Sequence, residues 1–261
     1  MSQITDRATI RAILETDRPW ATYALADLEL GFFEHATWFG AIGETSVLAL
    51  VYAAFGTPVL ITLGRTDALR AILHEMETTL NPPELYVVVR PGVVPLLTER
   101  YHLIHEKAMQ RMVLDPTQYQ PRVSDTVVRL GLADLEAVQS LYADGAASGE
   151  APDWFSPEML VQGVFYGIRE AEKIVAIAGT HVVSTSEGVG CLGNIYTRHD
   201  RRGRGLSTHV TGAVTAQLVT MKLRTIALNV RESNRSAIGV YERLGFHRYC
   251  GYVEAVAMKR A

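Results

Sequence analysis

Apolar and polar residues alternate with two different periods in the second half of the chain. A run rich in β-branched residues, 225–230, is bounded by turn-forming and polar residues and predicts a strand. In 206–223, the apolar residues Leu206, Val210 and Val214 recur at helical spacing and predict a helix. The same reasoning predicts, in order, strand 126–130, helix 133–143, a short helix within 157–162, strands 163–169, 173–183 and 189–197, helix 206–223, strand 225–230, helix 236–244 and strand 246–258.

The first half of the chain repeats part of this order. Apolar runs at 36–41, 47–55 and 59–63 are split by Gly43-Glu44 and by Gly56-Thr57-Pro58, as hairpin turns would split them. The pattern then predicts helix 67–76, strand 85–89, helix 93–101 and a strand over 109–114. Asp67 follows the third strand and is expected to be the N-cap of its helix. The first half is therefore either a second copy of the same lobe or an unrelated α/β accessory domain.

A polar segment with two prolines, 114–122, separates the two halves. Such composition is typical of a linker, so we expect a boundary near Gln120 and two domains, 1–120 and 121–261.

Composition narrows the classes of protein that fit. The 261 residues are 48% hydrophobic and 20% charged, which is enough apolar material for a sizeable core. The formal charge of −3 argues against a general nucleic-acid binder. The two cysteines, Cys191 and Cys250, lie in apolar runs, and we expect free buried thiols rather than a disulfide or a metal site. No signal peptide or bilayer-length apolar run is recognised, so a cytoplasmic protein without membrane contact is expected.

The turn between strand 189–197 and helix 206–223 contains residues that indicate a binding site. It reads Arg202-Gly203-Arg204-Gly205-Leu206-Ser207. Glycine lets the backbone approach an anion closely, and the free N–H groups that open the helix point at it. The turn therefore predicts a pyrophosphate site. Glycines that only tighten the turn, or arginines that contact nucleic acid, are the alternatives.

A second motif extends across the next predicted helix. The segment contains Asn234, Ala237, Tyr241, Gly245 and Phe246 at fixed spacing. With the glycine turn, it resembles the GNAT superfamily of acyl-CoA-dependent N-acetyltransferases from about Thr126 to the C-terminus. The family's Arg/Gln-x-x-Gly-x-Gly/Ala loop maps onto Arg202, Gly205 and Ser207, and serine replaces the usual glycine or alanine at its last position.

The resemblance implies a fold and an activity. It implies an α/β fold with a mixed sheet, in which the C-terminal half is a GNAT domain and the first half is a degenerate GNAT-like lobe. The two-lobed acyltransferases of the glycine N-acyltransferase and mycothiol synthase types have this plan. The implied reaction is direct transfer of an acetyl group from acetyl-CoA to a primary amine of a small molecule or peptide. A non-catalytic acyl-CoA-binding regulatory module is the alternative.

The resemblance also assigns the residues that would bind coenzyme A. Strands 189–197 and 225–230 are expected to splay apart and leave backbone groups for the pantetheine arm. Tyr241 is expected to protonate the departing thiolate, although a core aromatic would fit the same helical spacing. The residues implied for cofactor binding are Ile195, Tyr196, Thr197, Arg202, Gly203, Arg204, Gly205, Leu206, Ser207, Asn229, Asn234 and Ala237.

The group that accepts the amine's proton stays open. His181 in strand 173–183, Glu170 at the end of the preceding strand, and water are candidates. Asn194 could orient the acceptor. The acceptor pocket is expected within 144–157, including Asp153, Trp154 and Phe155.

Overall fold

The computed structural model describes residues 2–41, 43, 46–54, 56–147, 149–152 and 154–260. Its helices are α1 Arg7–Leu14, α2 Thr22–Ala26, α3 Leu30–Phe33, α4 Thr66–Leu80, α5 Val94–Thr98, α6 Leu135–Ala147, α7 Glu158–Gln162, α8 Leu206–Thr220 and α9 Arg235–Arg243. Its strands are β1 Ser2–Gln3, β2 Ala36–Ala41, β3 Val47–Tyr52, β4 Val59–Leu63, β5 Glu84–Val89, β6 Tyr101–Leu114, β7 Val127–Arg129, β8 Tyr166–Glu170, β9 Lys173–Ser184, β10 Val189–Thr197, β11 Thr225–Arg231 and β12 Phe246–Lys259.

The chain folds into two compact units, and neither is continuous in sequence. Unit 1 consists of 1–111, 230–233 and 249–261, and unit 2 of 112–229 and 234–248. This division differs from the expected continuous domains 1–120 and 121–261. The reason is the last strand: β12 pairs antiparallel with β5 from Val253–Val89 to Met258–Glu84, so its hydrogen bonds belong to unit 1.

Unit 1 has three antiparallel strands, a helix and a parallel strand. Strands β2, β3 and β4 pair antiparallel, and β4 then pairs parallel with β5 after the crossover helix α4. The helix buries Ile72 and Met76 against strand residues such as Leu60 and Val87. These four side chains have no exposed surface, as expected for a helix that covers one face of a sheet.

Unit 2 has the same topology. Strands β8, β9 and β10 pair antiparallel, and β10 pairs parallel with β11 after the crossover helix α8. Helix α6 contributes Val138 to a core with Phe165 and Ile177. The two units therefore share the same strand order and the same crossover, as expected if the first half is a second copy of the same lobe.

Three expectations for local structure are wrong. The predicted helix 93–101 is only one turn of α-helix, because β6 already begins at Tyr101. Asp67 is not an N-cap: α4 begins at Thr66 after Arg65, and Asp67 lies in the first turn in an ion pair with Arg65. Cys250 is only half-buried, although both cysteines are free as expected.

The segment expected to be a linker is an ordered part of unit 2. The Tyr119 hydroxyl donates to the Gly212 carbonyl at 2.8 Å, and the Gln120 N–H donates to the Leu244 carbonyl at 3.1 Å. The segment therefore packs on α8 and on the end of α9. In the described part of the chain, no helix is long and apolar enough to cross a membrane.

Candidate functional site

The two central strands of unit 2 separate halfway along their length. Parallel pairing of β10 with β11 runs from Val189–Thr225 to Leu192–Leu228 and ends there. Between Gly193 and Tyr196 the register of β10 against β9 also shifts, with Asn194 in the left-handed region at φ +54°. A bulge bends its strand. The expected splay is therefore present, and it begins beyond Leu192.

Alternation along β10 decides which backbone groups face the splay. The Arg198 N–H donates to the Val175 carbonyl of β9 at 2.9 Å, and Tyr196 pairs with Ile177 on the same strand. Because backbone groups in an antiparallel strand point alternately to either side, Ile195 and Thr197 direct theirs away from β9. The backbone of Tyr196 is therefore turned towards β9, in contrast to the expectation that it lies open in the splay.

The glycine turn has the geometry of an anion site. Gly203 and Gly205 have φ of +77° and +78°, a region that favours glycine. A Cβ on Gly203 would meet nothing within 4 Å, so the backbone there faces open space. Gly205 is the N-cap of the 15-residue helix α8, and no side chain caps the first turn. The N–H groups of Leu206, Ser207 and Thr208 thus open the helix without intrahelical acceptors, at its positive end.

The arginines around this turn are held by carboxylates. Arg198 binds Asp200, and Arg201 binds Glu170 at 2.5 Å. Arg202 makes a two-pronged ion pair with Glu150, with N···O distances of 2.9 and 2.6 Å. Bidentate pairing of this kind is also how guanidinium groups bind phosphate.

Arg202 is held in place by further contacts. Its Nε donates to the Thr197 carbonyl at 3.1 Å, and its guanidinium lies 5.7 Å from the centre of the Tyr196 ring. The hydrogen bond with Glu150 raises the pKa of Arg202, so its charge is retained. Arg204 is more exposed, and its guanidinium lies 3.9 Å from a carboxylate oxygen of Glu170.

The second motif is positioned by an N-cap. The Asn234 side chain accepts a hydrogen bond from the Ala237 N–H at 3.1 Å and starts α9. One turn later, Tyr241 is buried against Phe246, with ring centres 6.4 Å apart. Among the described residues, the Tyr241 hydroxyl has no hydrogen-bond partner. Burial raises its pKa, so the phenol keeps its proton at neutral pH.

The candidate bases lie at opposite ends of the site. Glu170 pairs with Arg201 and lies near Arg204, at the glycine turn. His181 lies at a second register shift of β9, and a Cβ on Gly193 would fall 2.2 Å from its ring. The imidazole therefore packs directly on the residue where the strands begin to separate. In the described residues, no group of three histidines, cysteines or carboxylates is arranged to hold a metal ion.

The segment expected to form the acceptor pocket contacts the same end of β10. Phe155 packs edge-on against Tyr142 at 5.1 Å, and the Tyr142 hydroxyl donates to the Asn194 carbonyl at 2.8 Å. The side-chain amide of Asn194 contacts the sulfur of Met159. Trp154 is 42% exposed, and Asp153 lies outside the described residues. The segment contacts β10 directly at its first residue, where the Asp144 carboxylate accepts a hydrogen bond from the Tyr196 hydroxyl at 3.1 Å.

The described residues of unit 1 form no counterpart of this site. Its parallel strands β4 and β5 pair only over Val59 to Ile61 of β4. At the next residue, Thr62, the backbone carbonyl accepts a hydrogen bond from the indole N–H of Trp20 at 2.7 Å. Trp20 is buried and fills the position where the strands would open. The turn after β4 carries the Arg65–Asp67 ion pair, whose carboxylate would repel a phosphate.

A mixed sheet with splayed parallel strands and a glycine turn opening the crossover helix is the architecture of the GNAT acetyltransferases. The family model described as FR47-like protein matches residues 164–254. A mycothiol acetyltransferase from Tsukamurella paurometabola is 29% identical over 100 residues, which are 37% of this chain and 34% of the relative. One from Thermobispora bispora is 33% identical over 100 residues, covering 37% and 32%. The match thus spans about a third of the length of these curated relatives.

Solved structures extend the likeness to nearly the whole chain. A protein from Novosphingobium aromaticivorans assigned to the GNAT family has a TM-score of 0.62 at 19% identity, covering 94% of this chain and 100% of its own. A tandem GNAT protein from the clavulanic acid biosynthesis pathway has a TM-score of 0.58 at 15% identity, covering 99% and 98%. The chain therefore has a two-lobed GNAT fold, and its C-terminal region carries the FR47-like sequence pattern.

The sequence does not predict the contacts of two residues, Glu150 at the site and Trp20 in unit 1. Glu150 lies in a polar loop where a carboxylate carries no signal, and only the fold brings it to Arg202. Trp20 lies in the first 35 residues, for which no element was predicted.

Proposed function

We propose that the chain is an acetyl-CoA-dependent N-acetyltransferase that transfers the acetyl group to a primary amine of a small molecule or peptide. The observation that carries the proposal is the opening of β10 from β11 directly above the glycine turn of α8. The extended, polar pantetheine arm of acetyl-CoA fits the opening between the strands, and its pyrophosphate fits the glycine turn. The names of the curated relatives support acetyl transfer, and the free cysteines fit a reducing cytoplasm.

The residues present fit acetyl-CoA. Gly203 and Gly205 leave the backbone open for a pyrophosphate at the positive end of α8. The backbone groups of Ile195 point away from β9 and Asn229 lies on the facing strand, which supports a role for both residues in binding the pantetheine amides. The turn also includes Arg204, Leu206 and Ser207. At the start of α9, Ala237 has a small side chain that leaves room for the cofactor.

Acetyl-CoA supplies the activated acyl group as a thioester. The protein must then provide a hydrogen-bond donor for the thioester oxygen, a proton for the departing sulfur, and an acceptor for the proton of the ammonium. The Thr197 N–H, directed into the splay, is the donor for the oxygen. The Tyr241 hydroxyl, which is protonated at neutral pH, is the proton donor for the sulfur.

His181 is the better placed of the two candidate bases. Its ring lies on Gly193 at the opening of the strands, whereas Glu170 is engaged by arginines at the phosphate end. Imidazole is also the side chain most often used as a general base. Asn194 and Phe155 lie on the same side of β10 and would contact the acceptor.

A panel of primary amines incubated with acetyl-CoA and the full chain, with release of free thiol as the readout, tests this function. We expect thiol release that depends on at least one amine and is accompanied by N-acetylated product. Tight binding of acetyl-CoA without turnover on any amine class would favour the regulatory module. Absence of binding would contradict both.

A further inference from the structure

Two glycines lie directly opposite each other on the neighbouring strands β9 and β10. Gly179 of β9 pairs with Gly193 of β10, and opposite residues of an antiparallel pair project their Cβ atoms from the same face of the sheet. Neither glycine has a positive φ, so the backbone conformation does not require glycine at either position. The requirement for glycine therefore comes from the groups that pack on this face.

An aromatic ring occupies the place of each missing side chain. A Cβ on Gly179 would fall 2.1 Å from the ring of Phe165, and a Cβ on Gly193 would fall 2.2 Å from the imidazole of His181. Both distances are shorter than the 3.4 Å at which ordinary van der Waals contact begins. Each ring therefore lies directly on the backbone of its glycine, on the same face of the sheet.

The two rings differ in their surroundings. Phe165 has no exposed surface and belongs to the hydrophobic core beneath α6. His181 is only half-buried, so part of its side chain is open to solvent. The glycine of β9 thus serves the packing of the core, whereas the glycine of β10 holds a group that can exchange protons with a ligand.

The contact with Gly193 places one nitrogen of the imidazole at the opening of the strands. The ring atoms nearest to the Cβ position are Cδ2 and Nε2, both at 2.2 Å, followed by Cε1 at 2.5 Å. Gly193 directly follows Leu192, the last residue of β10 that pairs with β11. Nε2 of His181 therefore lies next to the residue at which β10 leaves β11.

We infer that Gly193 is a positioning residue for the general base: its missing side chain leaves the space in which the His181 imidazole lies, with Nε2 at the opening of the strands. This inference rests on the proposed function, in which His181 accepts the proton of the ammonium. A Cβ at residue 193 would force the ring to move by about 1 Å to reach ordinary contact. A displacement of that size can cost about 10²-fold in rate.

The position of the ring is tested without any substrate. Gly193→Ala should raise the rate at which diethyl pyrocarbonate modifies His181 in the full chain, because the displaced ring loses its cover. Peptide mass spectrometry gives the rate, and the exposed His247 is the internal reference, which should react equally in both proteins. Unchanged or lower reactivity of His181 overturns the inference and leaves the proposed function intact.

Gly179→Ala is the matched control, because it adds the same methyl group to the opposite residue on the same face. It should lower the melting temperature, since it displaces the buried Phe165, and the folded variant should show the natural reactivity of His181. Increased reactivity of His181 in the folded control would mean that a methyl group on either glycine releases the ring. That result overturns the assignment to Gly193.

Turnover with an identified amine connects the ring to catalysis. Gly193→Ala should lower turnover by about 10²-fold and leave the affinity for acetyl-CoA unchanged. Combined with His181→Ala, it should lower turnover no further than His181→Ala alone, because the methyl group then has no imidazole to displace. Losses that multiply in the double variant would mean that Gly193 acts independently of His181, and would overturn the inference.

The basicity of the acceptor separates a base from a group that only shapes the site. An aromatic amine, which is neutral at the assay pH, attacks without first losing a proton, so Gly193→Ala should slow it less than an alkylamine. Equal losses with both amines overturn the inference and leave acetyl transfer intact. Absence of turnover with every amine, in the natural protein, contradicts the proposed function and the inference with it.

Discussion

At the scale of single residues, the account depends most on Tyr241. Its side chain is 5% exposed and packs against Phe246, so its position alone would suit a core aromatic. What distinguishes it is the hydroxyl group, which has no hydrogen-bond partner among the described residues although the residue as a whole is buried. A structural tyrosine in such a place usually has a partner.

Tyr241→Phe should lower turnover by about 10²- to 10⁴-fold, as expected when a positioned general acid is lost. The ring and its packing stay, and no hydrogen bond is broken, so the melting temperature should change little. Steady-state rates with an identified amine, together with thermal unfolding, check both points. An acyl donor whose thiol is more acidic should recover part of the loss; unchanged turnover where chemistry limits the rate would leave Tyr241 a core residue.

At the scale of elements, two helical glycines of unit 2 stand in opposite environments. A Cβ on Gly212 in α8 would lie 2.6 Å from the carbonyl oxygen of Arg122, a backbone atom of the ordered 114–122 segment. A Cβ on Gly239 in α9 would meet only the flexible end of Arg243 at 3.4 Å. The first glycine is required by close packing of the chain, and the second is not.

Gly212→Ala should therefore destabilise the protein by about 1–3 kcal/mol, because the added methyl group has to displace backbone. Gly239→Ala should stabilise it by about 0.5–1 kcal/mol through helix propensity. Denaturant unfolding of both variants gives the comparison. Equal changes of the same sign in the two would mean that 114–122 does not pack on α8.

The elements of unit 2 were predictable because local pattern and tertiary environment agree there. The strands alternate or are β-branched, and Asn234 caps α9 as its residue type favours. The pairing partner of β12 was not predictable, because the sequence of an apolar strand does not indicate which other strand it pairs with. The Glu150–Arg202 pair was missed for a related reason: a contact across 52 residues leaves no periodic signal. The site residues assigned by the resemblance remain predictions until a ligand is bound.

At the scale of the whole molecule, the C-terminal strand belongs to the core of the first lobe. Ala257 is fully buried in the cluster that includes Leu85 and Val87 of β5, whereas its neighbour Met258 is 39% exposed. The last residues of the sequence therefore stabilise the lobe formed by the first.

Ala257→Asn should cost about 2–3 kcal/mol, because it buries an amide among apolar side chains, and Met258→Asn should be nearly neutral. Hydrogen exchange should show the loss of protection in β3, β4 and β5. Loss confined to β8, β9 and β10 would mean that the last strand stabilises unit 2 instead.

The central claim is that one acyl-CoA site exists per chain, in unit 2, at the glycine turn. Calorimetric titration of acetyl-CoA into the full chain, Gly205→Glu and Ser207→Gly tests it most directly. We expect one site per chain in the natural protein, because Trp20 fills the corresponding position in unit 1. Gly205→Glu should stay folded and lose binding, since its carboxylate would stand where the pyrophosphate contacts backbone N–H groups, and Ser207→Gly should bind normally. Two sites per chain, or near-normal affinity in a folded Gly205→Glu variant, would contradict the account.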